Sequence, residues 1–153
     1  FIYNKHINQL VGVIMKHYLW SFNVSGYNGI FLATQSEIDS IIGKKILLSY
    51  SKEISIIIPH TVENSNFEKL MEVENSNNFY YVNHGINPLN AIDISDIKEP
   101  KITSRKYGGD DAYSWAVFVD DKVKYTGLSR ASLAHYKKLA YEAYIRKQIK
   151  YMQ

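Results

Sequence analysis

Chemistry near neutral pH falls first to histidine, and this chain has five: His6, His17, His60, His84 and His135. No two share a helical spacing that would aim both rings at one metal ion, and none stands in a His-Glu-x-x-His pattern. Cysteine is absent, which excludes disulfides, thiolate nucleophiles and Cys-ligated zinc. Asp93, Glu99 and Lys101 have the side chains of a divalent-metal hydrolytic site, but Pro100 breaks the strand that would have to present the last two. Serines abound without a nucleophile elbow, and no Walker loop or G-x-G-x-x-G occurs. The sequence therefore predicts no catalytic residue, no metal ligand and no cofactor. It points to binding rather than catalysis.

The side chains that could do binding chemistry are bases and tyrosines. There are 13 Tyr, whose apolar ring and polar tip suit half-wet surfaces. Net charge is +3 but unevenly spread. Residues 60–100 hold seven acids and two lysines, a net of −5; residues 122–153 hold eight bases against Glu142 alone, a net of +7. Segregation of this kind predicts an anionic partner for the basic end. The candidate contacts are Arg130, Lys137, Lys138 and Tyr141, with Lys122, Lys124, Arg146 and Lys147 in support. Lys and Arg neutralise phosphates, and Tyr bonds a phosphate or stacks on a base.

These residues must be placed by strands and one long helix. Tyr18–Val24 alternates, and a turn at 25–29 returns it as a hairpin with Ile30–Ala33. Ser36–Ile42 reads as a short helix capped by Thr34 or Ser36 and ended by Gly43. Lys45–Tyr50 and Ile54–Ile58 read as strands, the second closed by Pro59. Phe67–Val73 reads as a helix, Phe79–Val82 as a strand and 93–100 as a connection. Ile102–Lys106 reads as a strand and 107–111, with Gly108 and Gly109, as a turn. Tyr113–Val119 pairs with Val123–Tyr125 across the tight turn Asp120-Asp121. A helix capped by Ser129 then runs from Arg130 to about Lys150. On a wheel of about 100° per residue, Leu133, Tyr136, Leu139, Ala140, Ala143 and Tyr144 face the hairpin side of Trp115, Val117 and Val119. Arg130, Lys137, Lys138 and Tyr141 gather opposite, with Ala134 and Ile145 nearby.

The expected class is α+β: antiparallel sheets, short helices and a long C-terminal basic amphipathic helix packed on a β-hairpin. Three parts are expected: an N-terminal extension at 1–14, an α+β module at 15–98, and a hairpin-plus-helix module at 99–153. No apolar run reaches the roughly 18 residues of a membrane span, and 10–15 is too short for a signal-peptide core. The expectation is a cytoplasmic protein without a membrane partner.

The run Val117–Ala131, strands and then a helix opened by a small-polar-basic turn, resembles in topology the second half of a double-stranded-RNA-binding domain. Integrase arm-binding domains share that topology. The resemblance implies nucleic-acid binding, although Lys137-Lys138 come about two turns later than such domains place their lysines. Gly29–Asp39, Ile42–Lys45 and Gly85–Leu89 resemble phrases of small uncharacterised accessory proteins of phages and mobile elements. That resemblance implies an alternative: an inhibitor or sequestering protein that binds a host protein or small ligand through a tyrosine-rich surface around Phe79, Tyr80 and Tyr81. The alternative predicts a homo-oligomer or a deep pocket, and no salt-sensitive affinity for nucleic acid.

Overall fold

Alternating apolar side chains decide the first hairpin. The computed structural model describes residues 16–50, 57–74 and 83–152. In it β1, His17–Val24, pairs antiparallel with β2, Tyr27–Thr34. Ser25 and Gly26, both at positive φ, make a two-residue turn of the mirror type that suits strand twist. Trp20 and Phe22 of β1, with Phe31 and Ala33 of β2, are buried on one face. Trp20 also donates its indole N–H to the Ala33 carbonyl at 3.0 Å. Thr34 then caps α1, Gln35–Ile41, in a reciprocal box with Glu37. Gly43 follows at φ +87.

Residues Phe67–Val73 form strand β5 beside β1, not the helix their spacing suggests. Helix propensity loses here to tertiary packing. The Phe67 ring lies 5.2 Å from that of Phe22 and 6.3 Å from those of Trp20 and Phe31. A bulge opposite Leu19 and Trp20 skips Leu70 in the register, which hides the period of two. On the other side β2 pairs with the short β6, His84–Gly85, giving the order β5-β1-β2-β6. Gly29 and Gly85 sit opposite each other there. A Cβ on Gly29 would lie 1.7 Å from the Ile86 carbonyl oxygen, so only glycine admits this approach.

Strands β3, Lys45–Tyr50, and β4, Ile57–Thr61, form a two-stranded sheet. Pro59 lies inside β4 rather than closing it; an edge strand has a side on which a missing N–H costs no ladder bond. The expected start of this strand, and the strand at Phe79–Val82, fall largely or wholly outside the described residues.

The chain divides into two units, Phe1–Leu48 with Pro59–Asp93, and Ser49–Ile58 with Ile94–Gln153. The second holds β7, Ile102–Lys106, β8, Trp115–Val119, and β9, Lys122–Leu128, in the order β7-β8-β9. Its final helix begins later than Ser129 suggests. Arg130–Ser132 is a 3-10 turn without a side-chain cap from Ser129, and α2 runs Leu133–Met152. Val117, Leu128, Leu133 and Ala140 form its core, with Ile102, Trp115, Val119, Tyr125 and Tyr136 packed around them.

The protein is thus α+β, antiparallel sheets with a long C-terminal helix. Among the described residues no helix is long and apolar enough to cross a membrane.

Candidate nucleic-acid interface

Helix α2 is buried on two faces, and this decides which of its cations can meet a partner. Leu133 and Ala140 face the sheet. Glu142, Ile145 and Ile149 are also buried, yet Ile145 lies about 140° around the axis from Ala140. The wheel placed Ile145 beside the basic ridge; the structure removes it from the surface completely, at 0% exposure. Glu142, the one acid of the segment, is likewise inside, with its Oε2 lacking a hydrogen-bond partner. A single apolar stripe could not reveal this second face.

The ridge residues consequently separate. Arg130, in the 3-10 turn, is exposed, its guanidinium 5.7 Å from the ring centre of Trp115. Lys138 is exposed and Lys137 half-buried. Tyr141 donates its hydroxyl to the Glu99 carboxylate at 3.4 Å. Arg146, half-buried, lies 5.4 Å from the ring centre of Tyr50. Tyr141 and Arg146 are engaged within their own unit.

Three residues the sequence had placed in support come together instead. Lys122, Lys124 and Lys147 line a groove of about 420 Å³ between the β8–β9 turn and the middle of α2. Ala140 and Ala143 form its helix side, with Tyr144, and Asp120 stands with Lys122 and Lys124 on its hairpin side. The Tyr144 hydroxyl donates to the Lys98 carbonyl at 3.0 Å, which fixes the ring. All three lysines are exposed.

The hairpin turn explains why these charges stay unneutralised. Asp120 and Asp121 both take positive φ, the geometry of a two-residue turn between twisted strands. Both acids are turned to Lys101. Its N–H donates to the Asp120 carboxylate at 2.9 Å and its ammonium lies 3.5 Å from Asp121, while the Asp120 N–H donates to its carbonyl at 2.8 Å. Glu142, about 200° from Ala140 around the helix, points away from the groove. Among the described residues Lys122, Lys124 and Lys147 make no ion pair. Lys124 and Lys147 lie near aromatic faces instead, 5.9 Å from Tyr125 and 6.0 Å from Tyr151.

The described residues contain no group of three or more His, Cys, Asp or Glu placed to hold a metal ion. Phe79, Tyr80 and Tyr81, the surface of the alternative reading, lie outside the described residues. The pairing of Lys122 and Lys124 with Lys147 required the helix to cross the hairpin end. The one sequence signal for it is the small pair Ala140 and Ala143, which permits close approach there. Comparison with protein families, curated proteins and solved structures found no match to this chain.

Proposed function

We propose that the second unit is a non-catalytic nucleic-acid-binding module. The carrying observation is the groove: three exposed ammonium groups without an acid partner, beside a fixed tyrosine. Such a groove takes consecutive phosphates by charge neutralisation, with little dependence on base sequence. Lys137, about 60° around the helix from Ala140, extends the positive surface beside the groove, whereas Lys138, about 160° around, and Arg130, in the 3-10 turn, carry their charge outside it. Tyr141 and Arg146 hold segments of the unit together and contribute by position rather than by contact.

The test is a fluorescence-anisotropy titration of duplex and single-stranded probes against the protein and its Lys122→Ala/Lys124→Ala/Lys147→Ala variant. All three side chains are exposed, so the fold should survive. The expected result is measurable affinity for the native protein and a loss of about tenfold or more in the variant at low salt. Equal affinity of the two proteins, or no binding by either, removes the proposal.

A further inference from the structure

We infer that the loop between β7 and β8 is a base-stacking site for single-stranded nucleic acid. This inference rests on the nucleic-acid reading of the same unit and adds to it which form of the polymer is preferred.

The loop is closed on itself. The Tyr107 N–H donates to the Ser114 carbonyl at 2.8 Å, and the Ser114 N–H to the Asp111 carbonyl at 3.2 Å. Asp111 Oδ1 accepts from the Tyr113 N–H at 2.8 Å and from the Ser114 hydroxyl at 2.9 Å. Lys106 closes the base, its ammonium donating to the carbonyls of Asp110 and Asp111. Gly109 leaves room for this knot, since a Cβ there would stand 2.8 Å from the Ser114 hydroxyl.

On this pre-set loop Tyr113 is 69% exposed and Tyr107 47% exposed. A lone exposed tyrosine needs no explanation. Two on one self-bonded loop, with one guanidinium on the ring that Tyr107 packs against, offer aromatic faces to solvent. Arg105 lies 3.9 Å from the ring centre of Phe118, whose ring also meets Tyr107 edge-on at 5.5 Å. Arg130 stands by Trp115 on the opposite, helix-packed face of the sheet and takes no part in this surface. Asp110 and Asp111 oppose the Arg105 charge, but Asp111 is occupied inside the loop.

Rings that stand out from the surface, with a planar cation nearby, suit unpaired bases and the phosphates between them. A duplex hides its base faces by its own stacking, so these rings have nothing to stack on there. The ordering entropy is also spent in advance, because the loop is already held.

The experiment compares three probes of equal length: an oligothymidylate, the same backbone with abasic sites, and a duplex. Each is titrated against the native chain, Tyr113→Ser and Tyr113→Phe. Stacking predicts that the native protein prefers oligothymidylate to the abasic strand by about five- to tenfold. Tyr113→Ser should lose that preference while keeping its affinity for the abasic strand and the duplex, and Tyr113→Phe should retain it. If Tyr113→Ser holds oligothymidylate as tightly as the native protein, the stacking site is overturned and the groove stands; the loop is then left as a surface for a protein partner. If the native protein binds none of the three probes, both readings fall.

Discussion

In the first unit Lys16 lies 3.6 Å from Glu72, Lys44 lies 3.3 Å from Asp93, and Lys69 sits 4.0 Å from the ring centre of Tyr18. Lys45 also has a partner. In the second unit Lys122, Lys124 and Lys147 gather on one groove and make no ion pair among the described residues; its one lining acid, Asp120, accepts from the Lys101 N–H. Both units are antiparallel sheets with a tight two-residue turn between their long strands. The difference lies in where the acids go. In the first Glu72 and Asp93 lie beside lysines; in the second Asp120 and Asp121 are drawn to Lys101 and Glu142 is buried. Similar architecture therefore leaves lysines engaged by acids or a ring in the first unit and three exposed lysines without an ion pair in the second.

The strongest way to break this contrast is to disturb the first unit alone. Gly29→Ala forces a Cβ against the Ile86 carbonyl and should cost about 2–3 kcal/mol by urea denaturation. Anisotropy at low temperature should show nucleic-acid affinity unchanged. A parallel loss of affinity would mean that the first unit also supports binding.

Acid sharpens the contrast within the second unit. The Tyr113 N–H, then the Ser114 hydroxyl and more weakly Lys106, hold the Asp111 carboxyl below its usual range, against a small opposing desolvation. A lowered folded value means that the charged carboxylate's support is present above the ordinary carboxylate range and is lost as pH falls through the lowered value. The β7–β8 loop should therefore stay closed near pH 4, where ordinary carboxylates titrate, and open only below. The Tyr113 amide chemical shift followed against pH reports this. Asp111→Asn should flatten the curve.

The smallest effect belongs to the exposed pair Lys16 and Glu72. Lys16→Ala should change stability by less than about 0.5 kcal/mol and affinity not at all, because an exposed ion pair is screened and entropically costly. A large loss on titration of DNA would contradict the division between paired and unpaired cations.

Much of this fold is legible in local chemistry. The β1 alternation, the Thr34 cap with Glu37 three residues on, and the Asp120-Asp121 turn each follow from one short stretch. Phe67–Val73 does not. Its apolar positions serve either period, and the Phe67 contacts with Trp20, Phe22 and Phe31 that settle the matter come from distant residues. The site shows the same limit. The sequence identifies the basic segment but ranks its members by a single wheel. Burial of Ile145 and Glu142 on a second face, and the crossing of α2 over the hairpin end, promote Lys122, Lys124 and Lys147 over the expected ridge.

The central claim concerns unneutralised charge in one groove, and the salt dependence of binding measures that charge directly. For duplex DNA, log affinity against log salt should be steeper in the native protein than in the Lys122→Ala/Lys124→Ala/Lys147→Ala variant by about 2.7, close to 0.9 for each of three phosphate contacts. Identical slopes would show that these lysines meet no phosphate and would contradict the account.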